Sequence, residues 1–193
     1  MNVQPPNELL QRIGNGDREA FGQLYESTRD QVYRTVYFLL NQKQDTSDVV
    51  SEVFMELLRS LPSYNDDKPF RSWLSGLTVR QARNWNRKLW RKFRLFERSK
   101  SMEIEELQED AAVAVLREED RSELRINIEQ LPFRLKAVIV LRYYQDCTVE
   151  EISDILNIPA GTVKSRHHHA LKKLRLLVRQ PELAKEDSVH ANG

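Results

Sequence analysis

The residues of this sequence that could do chemistry are arginines at regular spacing. The segment from Phe70 to Phe96 contains eight basic residues and no acidic one. Five of its arginines follow one another at intervals of three, four, four and three residues: Arg80, Arg83, Arg87, Arg91 and Arg94. On a helix this spacing puts all of these guanidinium groups on one side, over about 21 Å. Guanidinium groups bind phosphate oxygens, and the row therefore predicts a surface for a polyanion.

Aromatic residues are interleaved with this arginine row. They are Trp73, Trp85, Trp90 and Phe93. Arginines beside aromatic rings are typical of proteins that bind single-stranded nucleic acid, because bases stack on the rings. A helical core also needs large apolar side chains, and to it we assign Trp73, Leu74, Leu77, Trp85 and Leu89. Trp90 is then the one ring that we expect to be exposed.

A helix-turn-helix pattern lies near the C-terminus. Thr148, followed three residues later by Glu151, is a capping-box signature and predicts the start of a short helix. The apolar face of this helix contains Ile152, Ile155 and Leu156. Residues 157–161 then interrupt the helix, because Pro159 disfavours helical backbone before it and Gly161 permits almost any backbone angle.

The second helix of this pair is basic, and Thr162 is expected to cap it. Its apolar side contains Val163, Ala170, Leu171, Leu174 and Val178. From Lys164 to Arg179 there are six basic residues and no acidic one, whereas the first helix is acidic. The alternative is a plain helical hairpin with a solvated charged face, but such a face usually mixes both signs. The segregation of charge favours a helix that enters the major groove of DNA.

An acidic row lies on a predicted helix from Thr46 to Leu61. The apolar stripe of this helix contains Val49, Val50, Val53, Phe54, Leu57 and Leu58. Its outer face contains Asp48, Glu52 and Glu56, each four residues after the one before. Like charges at this spacing repel one another weakly. The row is therefore either simply solvated or a docking surface for a basic partner.

The elements that must position these residues are all helical. Six glycines, seven prolines and the lack of alternating Val/Ile/Thr runs predict an all-α chain. Additional helices are expected from Asn7, after a cap at Asp17, and from Arg121. A turn-rich loop from Pro62 to Pro69 precedes the arginine row.

A change in composition divides the chain into two small domains. Residues 97–120 contain nine acidic residues against three basic ones, and we interpret them as a linker, either a disordered segment or an acidic arm that mimics a nucleic-acid strand and enters a basic channel. The first domain then spans residues 1–96, the helix-turn-helix domain spans 121–180, and a polar tail spans 181–193.

Composition also disfavours several classes of protein. The single cysteine, Cys147, excludes an internal disulfide and a cysteine-based metal framework, and it fits the reducing cytoplasm. No apolar run approaches the roughly 18 residues that span a bilayer, so we expect no membrane insertion. No cluster of carboxylates, histidines or cysteines at ligand spacing supports an enzyme such as a nuclease, or a cofactor.

The run His167-His168-His169 invites a metal interpretation. Adjacent helical residues point about 100 degrees apart and cannot converge on one ion, so we expect no metal site. His167 continues the apolar stripe and is expected to face the core. His168 and His169 lie on the expected DNA face, where they would gain charge as the pH falls through roughly 6.5 and tighten phosphate binding.

Several segments occur in a fixed order: DTSDVVSEVFMELL, PFRSWLSGL with the arginine row, the acidic linker, and LPFRLKAVIVLRYYQDCTVEEISDILNIPAGTVKSR. This order resembles the extracytoplasmic-function group of bacterial sigma factors, over about residues 8–178. The resemblance implies a sigma-2 module, which binds the clamp helices of RNA polymerase and melts the minus 10 promoter element. It also implies a sigma-4 module, which reads the minus 35 element. The implied partners are core RNA polymerase, promoter DNA and a repressing anti-sigma factor.

The resemblance assigns roles to residues already singled out. Those matching the clamp-binding helix are Asp48, Glu52 and Phe54. Those in the loop that captures a flipped base of the non-template strand are Asn65, Asp66 and Lys68. Those expected to hold phosphates of the opened strand are Arg80, Arg83, Arg87 and Arg91. Those expected on the DNA face of the recognition helix are Lys164, Ser165, Arg166, His168, His169 and Lys172.

The sequence departs from the family pattern at several positions. Ser47 and Ser51 stand where Glu and Gln are usual, which implies a weaker or altered clamp contact. Arg80 and Asn84 replace an Asn and an Asp, which implies different minus 10 preferences. In the recognition helix, an apolar residue is expected at His167, and arginines are usual at His169 and Leu171.

The function that these features favour is a dissociable promoter-specificity subunit with no catalysis of its own. The alternative is a self-sufficient helix-turn-helix regulator that binds duplex DNA as a dimer. The lack of a heptad dimerisation helix and the presence of the arginine-rich domain disfavour this alternative.

Overall fold

The computed structural model describes residues 5–99 and 119–179, and these residues form helices and turns without a strand. The helices are α1 (Asn7–Gly14), α2 (Arg18–Leu39), α3 (Thr46–Ser60), α4 (Phe70–Ser99), α5 (Glu119–Glu129), α6 (Phe133–Tyr143), α7 (Val149–Leu156) and α8 (Ala160–Arg179). Short 3-10 turns lie at Lys43–Asp45 and Leu61–Ser63. The predicted all-α fold is confirmed.

Helices α1–α4 form an N-terminal bundle around a buried core. Asp17 caps α2 as predicted, because its Oδ1 accepts hydrogen bonds from the backbone N–H groups of Glu19 and Ala20 at 2.9 and 3.1 Å. The buried face of α2 contains Ala20, Leu24, Val32, Thr35, Val36 and Leu39. Helix α3 presents five of its six predicted apolar residues to this core, whereas Leu58 is exposed.

Helices α5–α8 form a smaller C-terminal bundle, and α7 and α8 are the predicted helix-turn-helix. Thr148 and Glu151 form the predicted capping box, with bonds of 3.1 and 2.7 Å between each side chain and the other residue's backbone N–H. Asn157 ends α7 in the left-handed conformation, with φ of 51°. This conformation suits Asn, whose short polar side chain tolerates it.

Helix α8 differs from its prediction at both ends. It begins at Ala160, so Thr162 lies inside the helix and is not its cap. The backbone N–H groups of Thr162 and Val163 both donate to the carbonyl oxygen of Pro159. The first turn of α8 is therefore formed before Thr162, the residue at which the sequence pattern had placed the cap. At the other end Val178 is exposed, so the buried stripe of α8 contains Val163, Ala170 and Leu174.

The two bundles are in direct contact, which the division into two domains joined by a linker did not predict. Buried residues of both bundles belong to one continuous apolar cluster, in which Val138 and Leu141 of α6 join the side chains of α2 and α4. Helix α4 extends three residues into the predicted linker 97–120, and α5 begins at Glu119 within it. The rest of that segment lies outside the described residues.

Candidate nucleic-acid interface and acidic helix surface

The arginine row occupies the outer side of α4. The inner side of this helix places Leu74, Leu77 and Ala82 in the core, which turns the arginines outward. The exposed members are Arg80, Arg83, Arg87, Arg91 and Arg94. None of the ion pairs formed within the described ranges involves them. The row is therefore an open cationic surface about 21 Å long.

Two aromatic rings stand in the open beside this row. Trp90 is 58% exposed, as predicted, and Phe93 is 55% exposed, which was not predicted. Phe93 belongs to neither of the buried apolar clusters formed by the described residues. The guanidinium of Arg94 lies over the Trp90 ring at 4.7 Å from its centroid. Both rings are placed to offer stacking faces next to positive charge.

Two tryptophans nearer the start of α4 support the fold. Trp73 packs against Tyr64, with ring centroids 4.9 Å apart. Trp85 is partly buried and its indole Nε1 donates a 2.7 Å hydrogen bond to Asp45. The assignment of these two rings to the core is thereby confirmed.

The loop before α4 is held by its own hydrogen bonds. Asn65 Oδ1 accepts from the backbone N–H of Asp67 at 3.0 Å, and Asn65 Nδ2 donates to Asp67 Oδ2 at 2.9 Å. The Tyr64 hydroxyl donates to the carbonyl oxygen of Lys68 at 2.6 Å. Asp66 accepts a 3.2 Å bond from Asn7 of α1. The loop is thus pre-formed, with Asn65 shaping its turn while Asp66 and Lys68 are exposed.

The polar face of α8 is also open. Its exposed members are Lys164, Ser165, His168, His169 and Lys172. Arg166 is half-buried, and no ion pair within the described ranges engages any of these residues. With Val163 and Ala170 in the core, α8 presents one basic face to solvent.

His167 contacts α6 and is not part of the exposed basic face of α8. Its Nε2 lies 3.0 Å from the hydroxyl of Tyr143, and the two rings are stacked with centroids 5.8 Å apart. Burial, followed by the charges of Arg142 and His168, lowers the pKa of His167. The residue is half-buried at the edge of the core, close to its predicted position.

The acidic face of α3 is exposed at Asp48 and Glu52, while Glu56 is half-buried and pairs with Arg59 at 3.7 Å. Sequence reasoning missed two exposed apolar residues on this helix, Met55 and Leu58. The periodicity could have identified Met55, which lies seven residues after Asp48 and therefore on the same side of the helix.

Phe54 has a different environment from the two acids grouped with it. It is 4% exposed and its ring lies 4.7 Å from that of Tyr25 and 6.3 Å from that of Phe21. Phe54 therefore anchors α3 in the core, whereas Asp48 and Glu52 face outward.

The described residues contain no group of three or more His, Cys, Asp or Glu side chains that could hold a metal ion. Within the same ranges, no helix is long and apolar enough to cross a bilayer.

The paired bundles and their surfaces correspond to two known protein regions. Residues 24–92 match the family described as Sigma-70 region 2, and residues 128–176 match Sigma-70, region 4. Together they define an RNA polymerase sigma factor of the sigma-70 family.

Full-length relatives refine this class. The chain is 28% identical over 180 residues to the ECF RNA polymerase sigma factor SigW of Bacillus subtilis (strain 168), covering 88% of this chain and 95% of SigW. It is 31% identical over 166 residues to the ECF RNA polymerase sigma-E factor of Escherichia coli (strain K12), covering 82% of this chain and 86% of the sigma-E factor. The chain belongs to the extracytoplasmic-function (ECF) group of sigma factors, as the resemblance implied.

Two solved structures share the fold. One is CnrH in complex with the cytosolic domain of CnrY, with a TM-score of 0.64, 22% identity, and coverage of 89% of this chain and 95% of that one. The other is the sigma factor RpoE in complex with the anti-sigma factor NepR from Bartonella quintana, with a TM-score of 0.66, 18% identity, and coverage of 82% and 96%.

Proposed function

We propose that this sigma factor binds core RNA polymerase through α3 and promoter DNA through α4, the loop before α4, and α8. In this scheme α4 and its preceding loop hold the opened minus 10 element, and α8 reads the minus 35 element. The protein works in the cytoplasm as a dissociable specificity subunit and catalyses no step itself.

The observation that carries this proposal is the open arginine row of α4. Its five arginines are exposed, unpaired with any carboxylate of the described residues, and next to two exposed aromatic rings. A duplex reader relies on phosphate contacts and base-edge contacts, and neither kind requires exposed aromatic rings. Arginines with rings fit an unpaired strand, whose bases are free to stack.

The minus 10 loop and the arginine row would act in sequence along one strand. Asp66 and Lys68 are exposed at the start of α4, and the row begins at Arg80 on the same helix. Extruding a base costs a few kcal/mol of unstacking, which contacts to the flipped base and to neighbouring phosphates offset. A loop already fixed by its own hydrogen bonds loses little additional entropy when it binds.

The α3 surface would meet a basic part of the polymerase. Asp48 and Glu52 supply the charge, while exposed Met55 and Leu58 add apolar contact area at the same helix. This combination of an apolar patch with acids is typical of a protein interface rather than of a solvated face. Ser47 and Ser51 are exposed and add no charge.

An anti-sigma factor is the second partner that we propose. The two solved structures named above each hold a second protein: CnrH is bound to the cytosolic domain of CnrY, and RpoE is bound to the anti-sigma factor NepR. The exposed apolar residues of α3 and α4 offer surfaces that such a factor would cover.

Reconstitution with core RNA polymerase tests the proposal. The full chain with core enzyme should give run-off transcripts from a cognate promoter, and the chain alone should bind that promoter weakly. Asp48→Asn with Glu52→Gln should weaken core binding, whereas Lys164→Ala with Arg166→Ala should spare core binding and reduce promoter-specific transcripts. The matched control is Glu8→Gln with Glu19→Gln, which removes two exposed acids from α1 and α2. Tight promoter binding without core enzyme would instead identify a self-sufficient regulator.

A further inference from the structure

A cavity of about 420 Å³ lies beside the loop that precedes α4. Helix α1 forms one wall of the cavity, and the 3-10 turn at Leu61–Ser63 forms the other together with Tyr64 and Asp66 of the loop. The volume falls within the range of about 300–1,000 Å³ that holds small ligands. The match to Sigma-70 region 2 begins at residue 24, so it assigns no role to the α1 wall.

Three carboxamides on one side of α1 line this cavity. Asn7, Gln11 and Asn15 follow one another at intervals of four residues, which places them in a row along the helix. All three are exposed. A carboxamide carries both a donor and an acceptor, and this pair matches the polar edge of a nucleobase. We refer to these three residues as the α1 amide row.

The rest of the lining narrows the chemistry of the ligand. Leu10, Leu61 and Pro62 provide an apolar surface that suits a flat ring. Asp66 carries a negative charge, and within the described ranges no Lys, Arg or His lines the cavity. A phosphate would therefore meet a carboxylate and no positive partner. The ligand that fits is a neutral flat group with an amino donor for the carboxylate, and adenine and cytosine present such a group.

Asp66 joins the α1 amide row to the loop. Asn7 Nδ2 donates to Asp66 Oδ2 at 3.2 Å, between residues 59 positions apart in the chain. A carboxylate has about four acceptor sites, so Asp66 keeps the capacity to accept from a base. Asn7 is therefore a positioning residue, which sets the place of the carboxylate in the cavity.

Both walls of the cavity are held by contacts of their own. Ile13 anchors α1 in the core, and Arg12 pairs with Asp17 at 2.7 Å, where Asp17 also caps α2. On the other wall, the backbone N–H of Tyr64 donates to the carbonyl oxygen of Leu61 at 3.0 Å. A cavity that is already formed loses little additional entropy when it binds a ligand.

We propose that this cavity receives the extruded base of the non-template strand and that the α1 amide row determines which base it accepts. The inference rests on the proposed function, because it concerns the base captured beside the loop before α4. Lys68 is exposed on that loop, so the phosphates of the strand stay outside while the base enters. Asp66 accepts from the exocyclic amino group of the base, and Gln11 bonds to its neighbouring edge atoms. Thymine is disfavoured, because its carbonyl oxygen would face the carboxylate.

Binding of the polymerase–sigma complex to a promoter fork tests the cavity. The fork has a single-stranded minus 10 element, in which each nucleotide in turn is made abasic. The wild type should lose roughly tenfold in affinity at the position of the extruded base. Asn7→Ala and Gln11→Ala should each weaken binding to the intact fork roughly three- to tenfold, with no further loss on the fork that lacks this base. Gln23→Ala, which removes an exposed amide from α2, is the matched control and should bind every fork as the wild type does.

A base analogue tests the contact with Asp66. Adenine and purine are compared at the position found with the abasic forks, because purine lacks only the exocyclic amino group. The wild type should prefer adenine roughly three- to tenfold. Asn7→Ala should reduce this preference, since Asp66 then loses the bond that positions it. A merely structural role of Asn7 would weaken both forks equally.

The pattern of losses separates the possible outcomes. If Asn7→Ala and Gln11→Ala lose the same affinity on intact and abasic forks at every position, or lose none, the α1 amide row does not contact a base and the inference is overturned. Equal binding of purine and adenine by the wild type would overturn it as well. In both cases run-off transcripts from the wild type would leave the proposed function standing. Absence of fork binding and of transcripts would overturn the proposed function itself. Unchanged affinity for core enzyme and far-UV circular dichroism confirm that each variant is folded.

Discussion

The amide nitrogen of Gln145 donates to the hydroxyl oxygen of Thr35 over 2.6 Å, and both side chains are buried. The same hydroxyl donates to the backbone oxygen of Gln31 at 2.7 Å, so Thr35 acts as both acceptor and donor. A fully satisfied polar group inside an apolar cluster fixes the geometry of its surroundings, because any other arrangement leaves a buried atom without a partner. This bond is therefore one of the contacts that specify how the two bundles meet.

Thr35→Val should destabilise the protein by about 1–3 kcal/mol, because valine keeps the volume of threonine and leaves the Gln145 amide without an acceptor. The measurement is the free energy of unfolding in urea. Thr28→Val is the control on the same helix, since the Thr28 hydroxyl bonds only to the backbone oxygen of Leu24 at 2.7 Å. Equal losses in the two variants would show that the bond to Gln145 adds nothing.

A buried lysine gives the second prediction. Burial, followed by the charge of Lys43, lowers the pKa of Lys136 from 10.5 to about 8, although Glu129 acts in the opposite direction. The unfolded chain then binds more protons than the folded chain between about pH 8 and 10.5, so this group makes stability rise with pH across that window. Below pH 8 its penalty is fully present, and at about 1.4 kcal/mol per pKa unit it amounts to about 3 kcal/mol.

Lys136→Met should therefore stabilise the protein by up to about 3 kcal/mol at pH 7, and its advantage should shrink as the pH rises to 9. Urea unfolding at several pH values measures this. The comparison stops at pH 9 because the Cys147 thiol also affects stability above that pH. Burial raises the pKa of this thiol from 9.0 to about 11, so between these two pH values the folded chain binds more protons than the unfolded chain and stability falls as the pH rises. Lys173→Met, at an exposed position of α8, is the control. A constant difference between Lys136→Met and wild type would contradict the prediction.

Features set by neighbouring residues could be read from the sequence. The capping box of Thr148 and Glu151, the Asp17 cap and the spacing of the arginine row each depend on residues within a turn or a single helix. The contact between the bundles could not be predicted, because Gln145 bonds to Ser75 and Thr35, which lie 70 and 110 positions away. Glutamine between two helices carries no pattern that distinguishes a buried amide from a solvated one.

Exposure at the ends of helices was harder to predict for a related reason. Phe93 and Val178 follow the apolar periodicity of their helices, yet within residues 5–99 and 119–179 neither belongs to a buried apolar cluster. Periodicity shows which side of a helix is apolar, but only the tertiary arrangement shows how far along the helix a core extends.

The two threonines of the helix-turn-helix give the third prediction. Thr148→Ala should destabilise the C-terminal bundle by about 1 kcal/mol, because it removes the acceptor for the Glu151 backbone N–H. Thr162→Ala should change stability by less than about 0.5 kcal/mol, because Thr162 lies inside α8. Thermal unfolding of both variants tests the pair. A larger loss at Thr162 would place the start of α8 where the sequence pattern had predicted it.

The arginine row gives the last prediction, which depends on the proposed DNA contact. Each phosphate contact to a single strand adds about 0.7 to the slope of log affinity against log salt concentration. Arg83→Gln with Arg87→Gln should therefore reduce the slope by about 1.4, together with a loss of affinity that is greatest at low salt. The assay is fluorescence anisotropy of core polymerase carrying the sigma factor, titrated onto a promoter fork with a single-stranded minus 10 element. Arg18→Gln with Arg34→Gln removes two exposed arginines of α2 and should leave the slope unchanged. If both pairs reduce the slope equally, the attraction comes from overall charge, and α4 has no special place in holding the strand.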